Sequence, residues 1–204
     1  MDFYNKMARE FSKTRMYVWA CVKNFLDGFD NKQTKILIEL GCGNGKNLLY
    51  AINHGYMSEN IHGIDNSESL VNICINQGLN VSIDDILLID TTHKYDIVLC
   101  VAVLHHLKTH IDRMDAFKNI MSICKDNGSI LLTIWSYETV GARKPREFTK
   151  GDNIVMWNNR EERFYYIFDK SDWIDFLELN KKIYNFEYKL LWEEQNWVTV
   201  IRKN

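Results

Sequence analysis

A mostly parallel α/β sheet of seven strands, preceded by helices and closed by a C-terminal antiparallel hairpin, follows from three features of the sequence. Short apolar runs alternate with amphipathic stretches at the spacing of strand–helix–strand units. The first run, KILIEL (35–40), is apolar almost throughout, as in a strand covered on both faces. The last two runs, KKIYNFEYKLLW and NWVTVIRKN, are separated only by EEQ, so they must pair antiparallel.

Taken in order, residues 4–12 and 15–27 read as helices, with Val18, Val22, Phe25 and Leu26 on one face of the second and Thr14 as its cap. After KILIEL a helix is expected over 46–54, ended by Gly55. NIHGID is the second strand; the next helix covers 67–77, with Ser67 as cap and Gly78 just beyond. LNVSIDD and YDIVLCVAV are the third and fourth strands. A helix over 111–125 ending in DNG leads to the fifth, SILLTIW. The single proline, Pro145, lies in a segment that reads as a long loop. The 204 residues form one domain, with a helical extension over 1–30 and an insertion over 137–166.

With 46% apolar and 25% charged residues and a net charge of -2, the composition is that of an ordinary soluble globular protein, which disfavours a purely electrostatic nucleic-acid binder. Charges run through the N-terminal segment, so it lacks the apolar core of a secretory signal, and no apolar run is long enough for a membrane span. Cys21, Cys42, Cys74, Cys100 and Cys124 are scattered without a CxxC pair, which points to reduced packing residues in a cytoplasmic or nuclear protein. His106 and His110 are spaced as i, i+4 but lack a third ligand, so no metal is expected.

The segment IELGCGNGKN places Gly41, Gly43 and Gly45 at the carboxyl end of the first strand, where ligands of open α/β sheets bind. Glycine is wanted there because the turn needs unusual dihedrals and a Cβ would hold the ligand off the backbone. Asp65 ends the second strand, where a carboxylate can accept both hydroxyls of an adenosine ribose, in NAD or in S-adenosylmethionine alike. The spacing GxGxG rather than GxGxxG disfavours NAD. Glu39 would repel a pyrophosphate but suits a ligand carrying an ammonium and a sulfonium. Asp85 can accept from an adenine amino group. Asn66, Ile86, Cys100 and Val101 complete the expected cofactor side.

ELGCGNGKN, GIDNSESLV and YDIVLCVAVLHHL resemble the motifs of the class I, Rossmann-like methyltransferases. YNKMAREFSKTRMYVW, FTKGDNIVMWN, RFYYIFDKSDW and NWVTVIRK narrow the resemblance to the tRNA methyltransferase 9 type, shared with the methyltransferase domain of the AlkB homologue 8 proteins. Met156-Trp157 stands where that family commonly has Pro-Trp, and the proline expected after Asp85 is missing. The resemblance implies methyl transfer from S-adenosylmethionine to the carboxylate of 5-carboxymethyluridine at the tRNA wobble position. It also implies a small zinc-binding activator subunit pairing with the edge strand near Val81.

A carboxylate is already ionised at neutral pH, so no general base is required and none stands out. Arg15 is the first candidate for holding an anionic substrate, and His105 and His106 lie where the donor methyl should point. Arg143, Lys144, Arg146 and Lys150, followed by Arg160 and Arg163, can track the phosphates of a tRNA anticodon stem-loop, or form a solvated loop. Tyr4, Trp157, Tyr165 and Tyr166 are candidate stacking platforms for unpaired bases, or core aromatics.

Overall fold

A computed structural model describes residues 2–139, 142, 145–157 and 161–204. Its main sheet orders the strands β3-β2-β1-β4-β5-β9-β8, from β1 (Leu37–Leu40), β2 (Ile61–Asp65), β3 (Val81–Ile83), β4 (Tyr95–Val101), β5 (Cys124–Trp135), β8 (Phe186–Glu193) and β9 (Asn196–Lys203). Leu37 pairs in parallel with Ile61 on one side and Ile97 on the other. β9 runs antiparallel to both β5 and β8. The hairpin turns through Glu194 and Gln195, both at positive φ (47° and 62°), as a two-residue turn requires to match the strand twist. The expected sheet of seven strands with its closing hairpin is the one found.

Alternate side chains of each strand enter opposite layers. Leu37, Ile97, Leu99 and Leu131 pack with Val22 and Leu26 of α2 (Ala20–Asp27), Leu48 and Ala51 of α3 (Lys46–Asn53) and Cys74 of α4 (Glu68–Ile75). Ile38, Leu40, Val98 and Cys100 face the other way, onto Phe117 of α5 (His110–Ile123) and Trp173 and Phe176 of α6 (Lys170–Lys181). Both faces are covered, which is why KILIEL is apolar almost throughout. Ser67 caps α4 by accepting from Leu70 N–H, while Thr109 and Asp112 close α5 with a reciprocal capping box.

Three boundaries differ from expectation. The first helix, α1 (Asp2–Thr14), takes in Thr14, the residue expected to cap the second, and α2 starts at Ala20 with Trp19 before it. Residues 15–19 cannot continue a helix because the glycine loop holds their carbonyls: Asn44 Nδ2 donates to Arg15 O at 3.3 Å and Lys46 Nζ to Tyr17 O at 2.9 Å. The helix expected to reach residue 125 ends at Ile123, and the strand starts at once with Cys124 paired to Tyr95. The third difference lies in the insertion, whose later part contains β6 (Gly151–Trp157) and most of β7 (Glu161–Ile167), paired as their own two-stranded sheet, with side chains alternately more and less buried along β6.

Candidate functional site

β2 lies on one side of β1 and β4 on the other, so the crossovers diverge there and open a crevice beyond the carboxyl ends of these strands. A cleft of about 960 Å³ occupies it, bounded by the glycine loop, by α1 and by β7. All three loop glycines take positive φ. A Cβ on Gly41 would come within 2.4 Å of Val103 Cγ2, and one on Gly45 within 2.3 Å of Leu79 Cδ1. Gly43 differs: the nearest atom to its Cβ would be Phe11 Cε1 at 3.9 Å, so the space it leaves belongs to the cleft. Ala102, at the tip of β4, also has positive φ (59°) and is held by its N–H donating to Thr133 O and Oγ1.

One end of the cleft is lined with acceptors. Glu39 is 1% exposed; Asn47 Nδ2 donates to its Oε1 at 2.6 Å, while Glu39 Oε2 and Asn47 Oδ1 are buried without partners. Burial pushes the Glu39 carboxyl up to about 8, against the pull of Asn47 and Lys46. Asp65 Oδ2 accepts from Gly43 N–H at 2.8 Å and Oδ1 from Ser67 N–H at 2.9 Å, which fixes the carboxylate against the loop. Burial raises its pKa and those two N–H groups oppose the shift. Asn66, Asp84, Asp85 and Ile86 continue the lining, with Asp85 Oδ1 accepting from Leu87 N–H. This set fits an adenosyl ligand with a cationic amino-acid end.

The other end is lined with donors. His105 is fully buried and its Nδ1 accepts from Trp135 N–H at 3.1 Å, which places the proton of the neutral ring on Nε2. That Nε2 has no partner. Neither has the hydroxyl of Tyr165, whose ring stacks on Trp135 with centroids 4.2 Å apart, nor Nε of Arg163. Among the described residues, none of the guanidiniums of Arg15, Arg146 and Arg163 is ion-paired. His106 is different. It bridges Tyr4 OH (3.0 Å, to Nε2) and Phe164 O (3.1 Å, to Nδ1), joining α1 to β7. Burial lowers both imidazoles, His105 far below its ordinary value and His106 to about 4, so both stay neutral.

The cleft gathers most of the residues expected from sequence: Tyr4, Arg15, Glu39, Gly41, Gly43, Asp65, Asn66, Asp85, Ile86, Val101, both histidines, Arg146, Arg163 and Tyr165. Gly45 is not among them, because it faces Leu79 and Cys74 in the packed layer. Cys100 is instead fully buried in the core, since its side chain points to the opposite sheet face from that of Val101. Arg146 does not point outward with a basic loop: its guanidinium lies 3.9 Å over the Trp135 ring and Nη1 donates to Gln195 O. Burial lowers it to about 10. Lys150 is committed to Asp169 and Asp172 at 2.8 and 2.9 Å. Trp157 packs edge-on against Phe3, and Tyr166 lies under the Arg113 guanidinium at 3.8 Å. Arg143, Lys144 and Arg160 lie outside the described residues. Sequence reasoning missed Asn47, although a polar residue beside Leu48 and Ala51 on the buried face of α3 was a visible signal. It also missed Trp135, the floor on which Arg146 and Tyr165 stack.

The methyltransferase domain family matches residues 11–180. A protein of Encephalitozoon cuniculi, provisionally named a methyltransferase, is 33% identical over 81% of this chain and 78% of its own length. A Schizosaccharomyces pombe protein named tRNA (carboxymethyluridine(34)-5-O)-methyltransferase is 25% identical over 98% of this chain and 94% of its own. An Arabidopsis thaliana protein of the same name is 32% identical over 66% of this chain, which spans only 32% of that longer protein. Among solved structures, DhpI in complex with SAH superposes with a TM-score of 0.71 at 12% identity, covering 99% of this chain and 94% of that one, a likeness of fold. The chain therefore belongs to the methyltransferase domain family, with the fold of S-adenosylmethionine-dependent methyltransferases and with proteins named tRNA methyltransferase 9B and ALKBH8 among its relatives at 28–29% identity.

Proposed function

We propose that this protein methylates the carboxylate of 5-carboxymethyluridine at the wobble position, U34, of tRNA, giving 5-methoxycarbonylmethyluridine. One observation carries the reading: a single cleft offers unpartnered acceptors, Glu39 Oε2 and Asn47 Oδ1, at its cofactor end and unpartnered donors, His105 Nε2, Arg163 Nε and the Tyr165 hydroxyl, at the other. The first set suits a cationic methyl donor and the second an anionic acceptor. The Schizosaccharomyces pombe and Arabidopsis relatives carry the name of this reaction, which supports the choice of acceptor.

S-adenosylmethionine, when bound, supplies an electrophilic methyl group that a carboxylate oxygen takes as the carbon–sulfur bond breaks. The protein's own contribution is placement. Gly43 lets the donor approach the backbone, while Gly41 and Gly45 let the loop pack against Val103 and Leu79; Asp65 takes the ribose hydroxyls, and Glu39 with Asn47 holds the ammonium. Arg15 and Arg163 draw the substrate carboxylate in, and the neutral donors of His105 and Tyr165 orient it. Orientation of this kind supplies roughly 7 to 11 kcal/mol of barrier reduction, so the lack of a general base is no defect. Charge is neutralised as the ester forms, so a cleft walled by Phe3, Tyr4, Phe11 and Trp135 assists by excluding water. The partner RNA is a tRNA anticodon stem-loop. The edge at β3, where Ile83 is 57% exposed beside Val81, is the place for a small zinc-binding activator subunit to pair.

Nucleoside mass spectrometry of tRNA from cells lacking the protein tests the proposal. Loss of the methyl ester with accumulation of the free acid is expected; an unchanged ester level counts against it.

A further inference from the structure

The segment between α1 and α2 holds two large apolar side chains in solvent: Met16 is 73% exposed and Tyr17 87%. Single exposed apolar residues are ordinary, and an exposed ring on a loose loop would carry no meaning. This loop is tied down on its inner side. Asn44 Nδ2 donates to the carbonyls of Ser12 and Arg15 at 3.4 and 3.3 Å, Lys46 Nζ donates to the Tyr17 carbonyl at 2.9 Å, and the Lys46 ammonium lies 5.5 Å from the Trp19 ring centroid. Asn44 and Lys46 belong to the ligand loop, so the backbone that carries Tyr17 is fixed by the residues that shape the cofactor site. Tyr17 lies on the rim of the cleft. Its neighbour Arg15 also lines the cleft and has no ion pair among the described residues.

We propose that Tyr17 is a stacking platform for the base next to the target nucleotide. The inference rests on the reading that the substrate is RNA. A nucleotide whose carboxylate reaches His105 and Tyr165 at the inner end of the cleft must send its chain neighbours out over the rim. There they meet a flat, uncovered ring on a rigid mount, with Arg15, two residues earlier on the same segment and also lining the cleft, for a phosphate. An aromatic face accepts any base, so this contact adds affinity for unpaired anticodon-loop RNA without reading its sequence.

The test uses the full chain and an anticodon stem-loop RNA carrying 5-carboxymethyluridine, together with two versions of that RNA in which the 5′ or the 3′ neighbour of the target is abasic. Tyr17→Ala should raise KM for the intact RNA roughly tenfold or more, in line with loss of one stacked base, while leaving S-adenosylmethionine affinity unchanged. Tyr17→Trp should restore KM. Against one of the two abasic RNAs, wild type and Tyr17→Ala should become equal. A KM within twofold of wild type, or the same loss against both abasic RNAs, overturns the inference while leaving the RNA reading intact. Failure of the wild-type chain to methylate any of the three RNAs overturns both.

Discussion

Asn47 donates to one oxygen of Glu39 at 2.6 Å and leaves the other oxygen of the same buried carboxylate without a partner. Because burial raises Glu39 to about 8 from an ordinary value of 4.5, its stability contribution is full below about 4.5 and is lost as pH rises through about 8. Glu39→Gln removes that dependence. Calorimetric unfolding of the unliganded proteins should show the variant gaining on wild type between those limits, and a difference that does not move with pH contradicts the assignment. The same variant should bind S-adenosylmethionine about tenfold more weakly or worse, since a charged hydrogen bond contributes about 1.5–3 kcal/mol.

Gly43 and Gly45 separate ligand space from packing space. Gly45→Ala meets Leu79 and Cys74 side chains at 2.3 and 3.0 Å and a φ of +75°, and should lose about 2–4 kcal/mol of stability. Gly43→Ala meets only the backbone penalty, about 1–2 kcal/mol, yet should also lose cofactor affinity because its methyl enters the cleft. Titration calorimetry alongside thermal melts distinguishes the two, and wild-type affinity in Gly43→Ala counts against the cradle.

His105 and His106 are adjacent but have different tasks. His105→Phe keeps an aromatic ring but removes the free Nε2 donor together with the Nδ1 acceptor of Trp135 N–H, so methyl transfer should fall roughly tenfold to a hundredfold and stability by about 1–3 kcal/mol, with cofactor affinity retained. His106→Phe breaks the link from Tyr4 to Phe164 and should lower stability by about 1–3 kcal/mol. With His106 lowered to about 4 and His105 well below its ordinary value, both rings are neutral at neutral pH. The transfer rate should therefore show no imidazole limb between about pH 5 and 8; a limb near 6.5 that disappears in either variant contradicts the neutral-donor assignment.

Tyr165 carries a buried hydroxyl with no protein partner. Tyr165→Phe should be as stable as wild type or more so, because it removes an unsatisfied polar group, and should still transfer methyl groups more slowly. Destabilisation with unchanged transfer would assign the hydroxyl to structure.

The central sheet was legible because its strands lie between two apolar layers and its glycines and acids end successive strands; both are local properties. The β6–β7 hairpin was not, because the polar residues around Pro145 and the charges of EERFYYI outweighed an alternation that only pairing makes visible. The start of the second helix was misplaced because Asn44 and Lys46, distant in sequence, hold the carbonyls of residues 15 and 17. The cofactor side could be read from motif spacing. On the donor side the residues could be named from sequence but not their orientation: Arg146 turns inward because Trp135 and Gln195 receive it, and among the described residues Arg163 on β7 has no ion pair, facts of tertiary packing that a count of basic residues does not contain.

The most direct test is to incubate the purified protein with methyl-labelled S-adenosylmethionine and an anticodon stem-loop carrying 5-carboxymethyluridine, then locate the label by fragmentation mass spectrometry. The account predicts label on the carboxylate oxygen as a methyl ester that mild alkali removes. Label on a base or ribose atom, or transfer only to small molecules with the RNA left untouched, would contradict it.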